Sequence, residues 1–258
     1  KIFFKKKILF KMLLKNKTIV LTGCNRGIGK KILETLSYNG ANIFACVREN
    51  DDKFKTLAKK IEDKAKNKII TIQLDLSKEN EVKNAANEII LSKVPIDTLV
   101  NNAGIIHNSI FQMTSIKKLR EIFEINFFAQ TLFTQYILKA MIKNKKGSVV
   151  NISSTSGIDG DAGRGAYSSS KASIIMQSKA LSRELGPYNI RVNTIAPGLT
   201  DTDMMNNNTS KEIIEDMLKR ISLQRIAKPE EIANVVLFLS SDLSTYLTGQ
   251  TIRVDGGM

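Results

Sequence analysis

The 258-residue chain has no tryptophan, one histidine, two cysteines and four prolines. Each scarcity excludes something. Cys24 and Cys46 make no disulfide framework, and with His107 they fall at no spacing used for zinc, so no metal is expected. A Ser-His-Asp hydrolase would have to depend on His107, yet no G-x-S-x-G elbow is present. His107 is therefore read as a loop residue near a site. No stretch is long enough and free enough of charge to span a membrane. No low-complexity or linker-like segment divides the chain, and 42% of it is hydrophobic, enough to fill the core of one α/β unit.

Acidic residues are also few: 25, against 39 lysines and arginines, for a net charge of +14. Residues 1–17 hold seven lysines and no acid; without those lysines the charge is +7. The other lysines are scattered among acidic residues, as on solvated helix faces. An A+T-rich coding sequence, favouring Lys, Ile and Asn, accounts for most of the excess; attraction of anionic partners is the functional alternative. A nucleic-acid binder is not expected, because no aromatic-basic RNA motif or recognition helix is present. The basic start followed by ILFKMLL resembles a weak export signal, but Lys11 interrupts it and no small-residue cleavage site follows. Met12 is expected to be the true or an alternative start, with residues 1–11 an upstream extension before a domain over 12–258, and the location is expected to be cytoplasmic.

What is present is an alternation. Apolar, β-rich runs at Thr18–Thr22, Asn42–Val47, Lys68–Leu74, Thr98–Asn101, Gly147–Ser153, Arg191–Ala196 and Gln250–Val254 are separated by helical patterns. The helices are expected near 27–39, 52–65, 78–91, 115–144, 167–185 and 229–240. Runs such as TIVLT are apolar throughout, as for strands buried on both faces of a parallel sheet. The expected fold is a Rossmann-like, doubly wound parallel sheet flanked by helices, with ligands beyond the carboxyl ends of its strands.

The informative residues follow the strands. After the first comes a glycine-rich turn with Gly23, Asn25, Arg26, Gly27, Ile28 and Gly29, spaced G-x-x-x-G-x-G. It lets backbone amides and a helix N-terminus meet a pyrophosphate. At the end of the second strand neither Cys46 nor Val47 is the acid that would hold the ribose hydroxyls of NAD. Arg26 and Arg48 are instead placed to flank a 2′-phosphate, although Glu49 is adjacent. NADPH or NADP is the expected cofactor, ahead of NADH or NAD. Later come Tyr167 and Lys171, four residues apart on one helix face. A lysine beside the phenol is expected to lower its pKa and make Tyr167 a general acid. Ser154, at the end of the fifth strand, is placed to stabilise charge on a substrate oxygen.

Taken with LDLS (74–77), NNAG (101–104), IN (125–126), PGLTDTDM (197–204) and YLTGQTIRVDGGM (246–258), these motifs resemble the short-chain dehydrogenase/reductase family, from about Met12 to Met258. The resemblance implies a seven-stranded sheet, a homotetramer or homodimer, and a catalytic tetrad of Asn126, Ser154, Tyr167 and Lys171. Lys171 would also hold the nicotinamide ribose, and Asn126 a water that relays protons. It implies Asp75 and Leu76 at the adenine, and Asn102, Ala103 and Gly104 at the adenosine side. Pro197, Gly198, Thr200 and Thr202 would stand at the carboxamide. Within the family the 3-oxoacyl-acyl-carrier-protein reductases are most similar, which implies a ketone reduced to a secondary alcohol, most simply a 3-oxoacyl thioester. Lys143, Lys145 and Lys146 would dock the acidic carrier, while Tyr188 stands where those reductases often carry a basic residue. Loops around 104–113, 155–165 and 199–212, with Asp159, Asp161 and Asn206 to Asn208, read as short and polar. They suit a sugar, nucleotide-sugar or other polar ketone equally, and a noncatalytic cofactor-binding protein is the reading from another class.

Overall fold

The computed structural model describes residues 12–209 and 211–258; the proposed extension over 1–11 lies outside them. The chain runs β1 (Thr18–Thr22), α1 (Gly27–Tyr38), β2 (Asn42–Val47), α2 (Asp52–Ala65), β3 (Ile69–Gln73), α3 (Glu79–Leu91) and β4 (Thr98–Asn101). It continues through α4 (Ile116–Phe123), α5 (Ala129–Asn144), β5 (Gly147–Ile152), α6 (Ser156–Asp159) and α7 (Gly165–Leu185). The last elements are β6 (Ile190–Pro197), α8 (Asp203–Asn208), α9 (Lys211–Arg220), α10 (Pro229–Ser240) and β7 (Thr251–Val254). The strands form one seven-stranded sheet in the order β3-β2-β1-β4-β5-β6-β7, every pairing parallel.

Because the sheet is covered on both faces, its central strands β1, β4 and β5 are buried at nearly every position, and their few polar residues, such as Asn101 and Asn151, are buried with the apolar ones. β1 is buried throughout. On one face Ile19, Leu21 and Val150 pack with Ile32, Leu33 and Leu36 of α1 and Ile232 and Val236 of α10. On the other, Val20, Leu99 and Val149 pack with Val82 and Ile89 of α3 and Phe133 and Ile137 of α5. Strand order reverses between β1 and β4, and there the loops after the strands diverge and leave a crevice.

Two expectations are corrected. The helix expected over 115–144 is broken by a π-type turn at Glu124–Phe128, where Asn126 reaches across to Ile105. The segment expected to be a short polar loop at 199–212 holds α8, and α9 follows it. Met205 and Met217 from these helices form a small core with Leu199 and Ile221. The apolar spacing of Ile214, Met217, Leu218 and Ile221 signals α9, but the Asn206 to Asn208 run masks it. No helix among the described residues is long and apolar enough to cross a membrane.

Candidate active site

At the end of β1 the chain must turn sharply into α1. Gly23 and Gly27 take the left-handed φ values of +66° and +51°, where a side chain would strain the backbone. A Cβ on Gly29 would stand 2.0 Å from the Gly23 carbonyl oxygen, and one on Gly23 2.7 Å from Ala103 Cα. The Asn102 amide donates to the carbonyls of Thr22 (3.1 Å) and Gly23 (2.9 Å), while the Thr22 hydroxyl accepts from the N–H groups of Asn102 and Ala103. The loops after β1 and β4 are thus locked together. Arg26, the residue preceding α1, gives the first turn no side-chain hydrogen bond. The leading amides of α1 therefore have no cap of their own, and the turn fits a pyrophosphate.

From this turn a cleft of about 940 Å³ runs over the ends of β1, β4, β5 and β6. Every site residue expected from the sequence lines it except Asn126. At one end Arg26 and Arg48 are exposed, and Arg48 is paired with Glu49 at 3.0 Å. Asp75, lining the same end, accepts from the N–H and hydroxyl of Ser77 at 2.9 and 2.7 Å. Partial burial opposes ionisation of Asp75, but these bonds and the Lys78 charge hold its carboxyl below the usual range. Gly198 is pressed against Asp255, and Thr202 packs its methyl on Gly27 while its hydroxyl caps α8 by accepting from Met205 N–H at 3.2 Å.

At the other end β5 delivers Ser154 and α7 delivers Tyr167 and Lys171. Lys171 is 4% exposed, and its ammonium donates to the Ile152 carbonyl at 2.9 Å and stands 5.9 Å from the Tyr167 ring centre. Desolvation pulls its pKa down to about 8. Tyr167 departs from the expected direction. Burial pushes its phenol up, outweighing the Ser154 hydrogen bond and the Arg164 charge, which favour the phenolate. The lysine's proton is directed at a carbonyl rather than at the phenol, so burial wins here.

Asn126 is fully buried. Its amide accepts from Ile105 N–H (2.8 Å) and donates to the Ile105 carbonyl (2.9 Å) and the Ser170 hydroxyl (3.0 Å). Asn126 lies within the π-type turn between α4 and α5, and from there its side chain holds the loop after β4. A Cβ on Gly104 would lie 3.2 Å from Asn126 Oδ1 and 3.4 Å from Lys171 Nζ; the missing side chain gives the ammonium its room.

The wall of this end departs from the short polar loops expected there. Ile105, Ile106, Leu199, Met204, Met205 and Met217 line it, so it is far more apolar than the Asp and Asn content of its loops implies. Asp159 turns away to pair with Arg253 at 2.8 Å, and Asn206 to Asn208 face solvent. Arg164, also unforeseen, lines the cleft three residues before Tyr167. His107 lies in the loop after β4 and is not part of the lining. Cys24 and Cys46 are buried, and desolvation pushes both thiols up. Among the described residues no group of three or more His, Cys, Asp or Glu is placed to hold a metal.

Residues 23–258 match the family model described as enoyl-(acyl carrier protein) reductase. The chain is 39% identical over 245 residues to the 3-oxoacyl-acyl-carrier-protein reductase FabG of Aquifex aeolicus, covering 95% of this chain and 98% of that protein. Among solved structures, a Beutenbergia cavernae protein assigned as an NAD(P)-dependent gluconate 5-dehydrogenase, with NADP at low occupancy, superposes with a TM-score of 0.90 at 30% identity, covering 96% and 98% of the two chains. A 3-oxoacyl-acyl-carrier-protein reductase of Brucella melitensis with bound NAD superposes with a TM-score of 0.86 at 27% identity, covering 96% and 93%.

Proposed function

Because this chain belongs to the short-chain dehydrogenase/reductase family, we propose that it is an NADPH-dependent reductase of 3-oxoacyl thioesters. The observation that carries the reading is a single cleft with an uncapped glycine turn at one end and Ser154, Tyr167 and Lys171 at the other. The nicotinamide cofactor, when bound, supplies the hydride to the carbonyl carbon. Ser154 holds the carbonyl oxygen, and Tyr167 gives its phenolic proton to that oxygen as charge develops. Lys171 holds the nicotinamide ribose, and the Ser154 hydrogen bond favours the phenolate left behind, with Asn126 positioning the loop around Lys171. Gly23 to Gly29 hold the pyrophosphate; Asp75, Leu76 and Asn102 to Gly104 border the adenosine; Pro197 to Thr202 border the carboxamide. Arg26 and Arg48 hold the 2′-phosphate, for which Arg48 must leave Glu49, an exposed pairing of small worth.

The apolar methionine wall favours an acyl arm over a sugar. Lys143, Lys145 and Lys146 offer charge to an acidic carrier. Phe128 and Met176, 54% and 66% exposed, suit burial in a homotetramer or homodimer, which light scattering would detect.

The deciding assay follows NADPH oxidation with an acetoacetyl thioester, with NADH in parallel. Turnover favouring NADPH supports the reading. Turnover of a keto sugar acid but not the thioester would transfer the chemistry to polar ketones. Tyr167→Phe is expected to keep NADPH affinity, read by fluorescence titration, and lose turnover by about 100-fold or more. Full activity in that variant would remove Tyr167 as the acid.

A further inference from the structure

We propose that Arg164 is a positioning residue that sets substrate specificity by latching the methionine-bearing flap over the substrate end of the cleft. The inference deepens the reductase reading and rests on it for the substrate used. Three chain segments meet at this guanidinium: the loop after β4, the turn before α7, and the stretch that carries α8. Its Nε donates to Asn108 Oδ1 at 3.1 Å and one terminal nitrogen donates to Thr209 Oγ1 at 3.2 Å. The other terminal nitrogen faces Asp161 at 3.5 Å. Asp161 in turn accepts from the Ser156 hydroxyl. Around it, Asn108 donates to the Asn208 carbonyl, and Ser109 N–H donates to the Gly163 carbonyl at 2.8 Å.

The guanidinium suits this work. It presents planar donors in fixed directions, and a lysine in its place offers only a point charge. Asp161 offsets its charge, and the Arg164 side chain is only 15% exposed. It therefore acts as a fastener rather than as a docking site for an anion. The fastened segment matters because α8 carries Met204 and Met205, both of which line the cleft. With the latch closed these side chains complete the apolar wall; with it open that wall is lost from one side. The latch also stands one helical turn from Tyr167, whose phenol feels the Arg164 charge.

The test compares Arg164→Gln and Arg164→Lys with the parent, with Thr209→Val removing a single contact. In Arg164→Gln the KM for the acetoacetyl thioester is expected to rise about tenfold or more, the worth of charge-assisted hydrogen bonds, with kcat changed less than about threefold. Arg164→Lys is expected to fall between. NADPH affinity, titrated without substrate, should change far less than KM, since the pyrophosphate turn and the two arginines for the 2′-phosphate are at the other end. Hydrogen exchange of the amides over 203–220 should accelerate in Arg164→Gln and, less, in Thr209→Val. That readout needs no substrate, so it separates failure of the latch from failure of the substrate assignment. Parental exchange over 203–220 in Arg164→Gln overturns the latch. So does a loss confined to kcat with KM unchanged.

Discussion

Lys171 is the residue at which burial and charge conflict most directly. Its folded pKa of about 8 lies below the ordinary lysine value of 10.5. Between those two values the unfolded chain holds a proton that the folded one has released, so this residue's contribution to stability rises with pH across that window. Below pH 8 the ammonium is charged in both states, and its burial is a constant cost. Cys24, Cys46 and Tyr167 act in the opposite sense, since their folded forms resist ionisation. A difference measurement isolates the lysine. From pH 7.5 to 10.5 the cofactor-free parent should gain stability over Lys171→Met by on the order of 3 kcal/mol, read from urea midpoints. A flat difference would show that the ammonium is better solvated than its burial implies. Gly29 is the steric counterpart. Gly29→Ala must displace the Gly23 carbonyl, 2.0 Å from the new Cβ, and should weaken NADPH binding at least about tenfold in a fluorescence titration.

At the scale of elements, α7 is tied to the sheet by polar contacts as well as by packing. Asn101 donates to Asn151 Oδ1 at 2.8 Å, and Asn151 donates to Ser178 Oγ of α7 at 2.7 Å, all three being buried. Ser178→Ala leaves the Asn151 donor without its acceptor and should cost about 1–3 kcal/mol in chemical denaturation. A loss under about 0.5 kcal/mol would mean that another acceptor takes its place. These elements differ in how far the sequence discloses them. β1, β2 and β4 lie where their apolar runs place them, because a strand buried on both faces keeps an unbroken apolar middle that a polar residue brackets. The break between α4 and α5 is not disclosed. Residues 124–128 contain no proline or glycine, and the turn is imposed by Asn126 reaching Ile105 across the fold. Ser154, Tyr167 and Lys171 were legible because they lie just after β5 or in the first two turns of α7; Asn126, inside the π-type turn, was reached only through the family resemblance. The methionine wall was not legible, because only the folding of α8 and α9 brings it to the cleft, and Arg164 was not, because its partners Asn108 and Thr209 lie 56 and 45 residues away in the chain.

At the scale of the molecule, the +14 charge acts on partners before contact. Initial-rate kcat/KM with the anionic cofactor is expected to fall several-fold as ionic strength rises from about 0.02 to 0.5 M, where screening shortens to a few ångströms. A salt-independent rate would confine the lysines to local pairings. The strand order carries a consequence for synthesis. β1 has β2 on one flank and β4 on the other, and the Asn102 amide that clasps the Gly23 carbonyl arrives 79 residues later. At ribosomal speeds of about 5–20 residues per second, that interval lasts about 4–16 s. A nascent chain therefore emerges with its glycine turn made but unclasped, and with one edge of β1, a strand buried along its whole length, open to any other strand. Translational pausing before residue 101 would prolong that exposure, so aggregation during expression should respond to codon choice between β3 and β4 more than to changes anywhere in the finished surface.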